Sequence, residues 1–265
     1  HFELLVVHTG RCEKASQMID EWMARDSRLG QLRVEHVHQV MGFGIAEAQG
    51  EYIAFIHGKD LWPDQKLEWQ LDALQTTGAE VSLGHLQRFW TDNHGETYWG
   101  AVSHVPMLPT HYLSQVLMIK SLQMLNMQTA LIRKSVALSQ EFSAHLACPV
   151  SWWDFWLGLA SRYKFVHVDR ELLFSRDYLP LSSADEIRQT LQDELAVINR
   201  HIMPGVAGWY LKHEAKRMRY EYAITRLLEL GKPSLALTQF STAFWESSLF
   251  WRVSGWQTFF RTLRR

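Results

Sequence analysis

His57, Lys59 and Asp60 fall within four residues of one another in the stretch HGKD, after the apolar run YIAFI and before LWPDQKLEWQL. A lysine ammonium in such a turn can hold a phosphate or diphosphate oxygen as a point charge. A histidine and a carboxylate can begin a metal site, but one of each falls short of the three or four ligands a tightly held transition metal takes. The same residues also read as a plain solvated turn. Trp152, Trp153 and Trp156 form a second grouping: the i, i+3 pair Trp153 and Trp156 is expected in the core, while Trp152 points elsewhere and could line a cleft. Cys12 and Cys148 lie far apart without metal spacing, so a reducing compartment is the simplest reading.

The elements that must position these residues can be read from periodicity. FELLVV (2–7) and EYIAFIH (51–57) are apolar runs of buried-strand type, and LRVEHVHQV (32–40) alternates like a strand. Helical spacing marks 13–26, and GFGIAEAQG (42–50) reads as a short helix closed by Gly50. A further helix follows HGKD, with Pro63 near its start and Gly78 after its end. Residues 79–90 are strand-like, 91–97 a hairpin turn, 129–140 a strand with a turn, 151–163 a helix and 164–177 a strand pair or extended segment. The Met-rich stretch within 105–128 is expected to be helical, and after Pro180 helices are expected at 184–203, 206–230, 232–244 and 247–264. Strands alternating with helices imply an α/β domain on a mostly parallel sheet over 1–180, followed by a helical region over 181–265.

The 265 residues suit that arrangement, and 47% hydrophobic with 21% charged residues is an ordinary globular composition. A formal net charge of −1 gives no reason to expect nucleic acid as a partner. There is no apolar run of membrane-spanning length and no basic-then-apolar leader after His1. The final SLFWRVSGWQTFFRTLRR has aromatic and aliphatic residues at helical spacing with arginines between them. It is either a last helix packed on the body or a basic helix lying on an anionic membrane surface.

The run AEAQGEYIAFIHGKDLWPDQKLEWQL resembles the central signature of family 2 glycosyltransferases of the GT-A fold, in which A-x-G-E-Y-I-A-F leads to L-D-x-D-D and then W-x-P-x-K-L-x-x-Q. Ala48, Gly50, Glu51, Tyr52, Ile53, Ala54 and Phe55 match the approach; Asp60, Trp62, Pro63, Lys66, Leu67 and Gln70 match the exit. SWWDFWLGLA is similar to the family's late E-D-x-D-L-W-L-R-L-A helix, ELLVVHTG to its second strand and ELLFSRD to the strand ending in an arginine. The resemblance spans about residues 2 to 180. It implies a GT-A-like domain that takes a nucleotide-diphosphosugar, UDP- or GDP-linked, and passes the sugar to a glycan acceptor. In the family an Asp-x-Asp pair holds Mg²⁺ or Mn²⁺ on the diphosphate, and another Asp serves as base.

The sequence departs from the family at those very places. His57 and Lys59 replace the two motif aspartates, and only Asp60 remains. His8 and Thr9 stand where the acidic nucleobase contact belongs, and Ser151 and Trp152 open the late helix in place of Glu-Asp. The first family strand has no counterpart after His1. Asp154, two residues beyond the base position, is the candidate base, with Glu141 and His145 on the preceding loop as weaker ones. His8, Thr9, His57, Lys59, Asp60 and Arg176 are the candidate donor or diphosphate contacts, and Trp152 the acceptor contact. The resemblance thus implies glycan assembly, polysaccharide or glycolipid, by a transferase that is weak, metal-independent or inactive, with no metal or other cofactor expected. The alternative is a catalytically dead relative acting as scaffold or glycan-binding partner in glycan assembly. A cytoplasmic place is expected, at the inner membrane face if residues 247–265 make a peripheral contact.

Overall fold

The computed structural model describes residues 1–104, 110–119, 127–143, 145–146, 148–176, 183–201 and 205–246. The chain divides into two compact units, His1–Leu113 with Leu122–Asp177, and Ser114–Ser121 with Tyr178–Arg265. The expected helix over 247–264, and with it the membrane contact, lies outside the described residues, as does much of 105–128.

In the first unit, β1 (Leu4–His8) pairs in parallel with β2 (Leu29–Arg33), and α1 (Glu13–Met23) connects them. The helix is amphipathic as read, yet Met18 and Trp22 on its apolar stripe are exposed. The strand expected over 32–40 stops at Arg33. His36 N–H donates to Gln39 Oε1 at 3.0 Å, a local cap that turns the chain into one 3₁₀ turn (Val37–Gln39) and then α2 (Val40–Glu47). A short-range side-chain bond has overridden the alternation.

The larger sheet has five strands. β3 (Tyr52–Ala54) pairs antiparallel with β6 (Leu131–Arg133), which also borders the start of β4 (Val81–Thr91). β4 forms a hairpin with β5 (Thr97–Ser103) and runs parallel to β7 (Phe165–Arg176). This sheet is therefore mixed, parallel at β4–β7 and antiparallel elsewhere, and the parallel β1–β2 pair is a separate two-stranded sheet. Residues 81–86 of β4 are all buried, as befits a strand with neighbours on both edges and cover on both faces. Gly84 is needed there: a Cβ would lie 2.4 Å from Leu172 Cδ1 and 3.0 Å from the Arg170 carbonyl.

α3 (Lys66–Thr77) ends at Gly78, whose φ of +65° gives a left-handed cap with its N–H on the Leu74 carbonyl. Its inward stripe is Lys66, Gln70 and Leu74, two polar groups and one apolar. Lys66 Nζ donates to Gln70 Oε1 and to the Thr129 carbonyl at 3.1 Å; Gln70 Nε2 donates to Ser82 Oγ at 2.9 Å and to the same Thr129 carbonyl at 2.9 Å. The K-L-x-x-Q exit motif is thus a buried polar clamp joining α3 to β4 and to the 3₁₀ turn at Met127–Thr129. A short α5 (Lys134–Leu138) follows β6. α6 (Cys148–Ala160) is buried nearly all round, with Trp153 and Trp156 in the core as expected from their spacing.

α4 (Thr110–Ile119) crosses from one unit's residues to the other's. In the second unit, α7 (Ala184–Arg200) opens on a capping box in which Ser183 and Glu186 exchange side-chain and backbone bonds. α8 (Gly205–Glu229) and α9 (Pro233–Glu246) complete a core of Ile187, Leu191, Tyr220, Ile224, Leu227 and Phe240. Glu194 and Arg219 form a buried ion pair at 3.1 Å. No helix of the described residues is long and apolar enough to cross a membrane.

Candidate functional site

β3 delivers the chain into the HGKD turn, which closes with Asp60 N–H on the His57 carbonyl at 2.9 Å. The next residue, Leu61, exchanges both backbone bonds with Phe174 of β7 at 2.9 Å. Asp60 is 5% exposed, and its Oδ1 accepts from Arg176 N–H at 3.0 Å and from Ser175 Oγ at 3.2 Å. The turn and the end of β7 are therefore stapled together by one carboxylate and a two-residue bridge. His57, Gly58 and Lys59 are exposed on the outer side of this staple. His57 Nδ1 accepts from Lys59 N–H at 3.4 Å, so the ring folds back over its own turn.

Arg176 is half-buried, its guanidinium 4.8 Å over the Phe89 ring, with Nη1 donating to Thr91 Oγ1 at 3.3 Å. The fold thus brings His57, Lys59, Asp60 and Arg176 together. It also sets aromatic side chains beside Arg176. Trp99, exposed on β5, packs edge-on to Phe174 at 5.2 Å and tilts over Phe89 at 5.6 Å. Sequence reasoning missed Trp99 because only the strand registers set it opposite Phe89 on one edge of β4, with Arg176 opposite the same residue on the other edge.

Of the remaining candidates, His8 and Asp154 have local partners of their own. His8 ends β1 in the two-stranded sheet and Thr9 follows it; His8 bonds Gln31 Oε1 at 3.2 Å and accepts from Gly10 N–H. Asp154 is 2% exposed inside α6 and accepts from Ser143 Oγ at 3.0 Å. That bond ties α6 to the loop before it. Trp152 is half-buried on the same helix, and Glu141 and His145 are exposed on that loop.

A hard divalent cation of the Mg²⁺ or Mn²⁺ kind takes oxygen ligands. The turn offers an imidazole, an ammonium and a carboxylate whose Oδ1 already serves Ser175 and Arg176. This donor set does not fit such an ion. Among the described residues, the one group of three metal-competent side chains with converging ligand atoms is His85, His167 and Asp169, on β4 and β7.

A mixed sheet flanked by helices, with a polar turn stapled to a strand end, is an α/β fold. Solved structures agree with that class. The chain is similar to TarS 1–349 of S. aureus with a TM-score of 0.63 at 13% identity, covering 92% of this chain and 69% of that one. The same protein in complex with UDP-GlcNAc gives 0.63 at 13% identity over 92% and 70%, and in complex with UDP 0.60 at 13% over 86% and 65%. No family model and no curated protein matches the sequence.

Proposed function

We propose that the first unit is a family 2-like glycosyltransferase domain that binds a nucleotide-diphosphosugar without a metal ion, with Lys59 and Arg176 supplying the positive charge. The observation that carries this reading is the Asp60 staple. It holds an exposed lysine turn against the strand end that bears an arginine, with the Asp60 carboxylate turned inward onto Ser175 and the Arg176 amide. Neutralising a diphosphate is the task that a metal performs elsewhere, and fixed ammonium and guanidinium groups perform the same electrostatic work. The complexes of TarS with UDP and UDP-GlcNAc support a nucleotide-linked sugar as the ligand class. Trp99, across Phe89 from Arg176, offers a flat apolar face on which an acceptor sugar can stack, a role Trp152 on α6 shares less directly.

A second reading, a catalytically silent domain that binds donor or glycan within a glycan-assembling complex, is favoured by Asp154. A base must reach the acceptor hydroxyl, and Asp154 is buried and engaged by Ser143. Its place supports a positioning role for the loop before α6. Transfer therefore requires that the acceptor proton leave through another group, and donor binding is the step both readings share.

Calorimetric titration of UDP-GlcNAc and a GDP-sugar into wild type, Lys59→Ala and Arg176→Ala tests the proposal. Loss of a charge-assisted contact, about 1.5–3 kcal/mol, predicts affinity lower by about tenfold to a hundredfold in each variant. Unchanged affinity in both would remove the diphosphate role from these residues.

A further inference from the structure

β4 and β7 run parallel, but their register breaks: Gly84 faces Val168 and His85 faces Glu171, leaving Asp169 and Arg170 as extra residues on β7. A bulge of this kind bends a strand and re-aims its side chains. Here it brings Asp169 beside His85, with Oδ1 2.8 Å from His85 Nε2. The His167 ring centroid is 4.6 Å from that of His85, and His104, just past β5, stands 4.5 Å from it. One ligand atom from each of His85, His167 and Asp169 lies within 4.8 Å of the other two.

Both ring nitrogens of His167 are buried without a hydrogen-bond partner. A neutral imidazole carries one N–H donor and one acceptor, and leaving both unmade in the interior is costly. An ion bound at this spot would satisfy the acceptor nitrogen and account for the convergence. Burial and the neighbouring His85 hold His167 toward its neutral form, and the hydrogen bond from His85 holds Asp169 toward its ionised form. Those are the forms that ligate.

We propose that His85, His167 and Asp169 bind one divalent transition-metal ion of the zinc type, with water completing the coordination and His104 beside it. Two imidazoles and a carboxylate suit Zn²⁺, Co²⁺ or Ni²⁺ and not Mg²⁺ or Ca²⁺. Bonds of about 2.0–2.2 Å require the three ligand atoms to draw in modestly around the ion. The side-chain exposure, 6% for His85 and 83% for Asp169, gives an inner anchor and a solvent-facing entry. The site pins β4 to β7 across their bulge, and it does not rest on the donor-binding reading.

The test uses tag-free protein stripped with EDTA and dialysed, then titrated with Zn²⁺ by calorimetry and with Co²⁺ by visible absorption. The expected result is one ion per chain, a rise in melting temperature with Zn²⁺ and none with Mg²⁺. Asp169→Asn, a change at an exposed side chain that leaves packing intact, should weaken Zn²⁺ by at least about tenfold, and His167→Ala by more. His94→Ala, in the exposed β4–β5 turn, should bind as wild type. Absence of Zn²⁺ binding would overturn the proposal, as would equal affinity in wild type and Asp169→Asn, which would place the ion elsewhere. Should His167→Ala fail to fold, the Asp169→Asn comparison decides.

Discussion

Lys66 shows how a residue can match a motif and still serve the scaffold. Its ammonium is 1% exposed and held by Gln70, Thr129 and Ala130, and burial pulls its pKa down to about 7. Between about pH 7 and 10, the folded state then holds fewer protons at this site than the unfolded chain, so stability rises with pH across that window. Below pH 7 the lysine is charged in both states and contributes no slope. Stability of wild type minus that of Lys66→Met, from denaturant unfolding at several pH values, should therefore increase from pH 7 to pH 10. A flat difference would mean that Lys66 stays protonated when buried. The motif was legible in the sequence, and its role was not. Helix periodicity alone would leave a lysine at 66 facing water, and only the carbonyls of residues 129 and 130, more than sixty positions away, turn it inward.

At the scale of elements, β4 and β7 organise both candidate sites. β7 carries Asp169 at its bulge and Arg176 at its end, and β4 carries His85 and Phe89 opposite them. The pairing depends on a close approach at Gly84, where an added Cβ meets Leu172. Gly84→Ala should cost about 1–3 kcal/mol by overpacking, measured by thermal or denaturant unfolding. Combined with Leu172→Ala, itself costly at a fully buried site, the loss should be smaller than the sum of the two single losses, whereas simple additivity would mean that the clash is absorbed elsewhere. The strand at 79–90 was readable from its strand-like character, and the helix after HGKD from its Pro and Gly punctuation. The bulge was not readable, because KFVHVDRELLFSR holds no residue that marks where the register slips. His85 and Asp169 are 84 residues apart and touch only because of that slip. The strand wrongly extended to residue 40 failed for the opposite reason: its alternation was clear, but the reciprocal bonds between His36 and Gln39 that close the 3₁₀ turn outweighed it.

Over the whole molecule, the mixed sheet, its helices and the C-terminal helices match the α/β reading, and the likeness to TarS of S. aureus is one of fold, at 13% identity. Sequence carried the frame because the approach and exit of the HGKD turn are packing residues: Ile53 and Asp60 are buried, and Lys66 and Gln70 form the clamp. The turn itself is exposed, so its chemistry follows from which side chains stand there and not from the frame. The central claim is that Lys59 and Arg176 do the work of a metal at this turn. It is tested most directly by calorimetric titration of UDP-GlcNAc into wild-type protein in EDTA and again in Mn²⁺. The account predicts binding in EDTA, with affinity changed by less than about threefold on adding Mn²⁺, well below the tenfold that 1.4 kcal/mol represents. Binding that appears only with Mn²⁺, or none in either buffer, would contradict it.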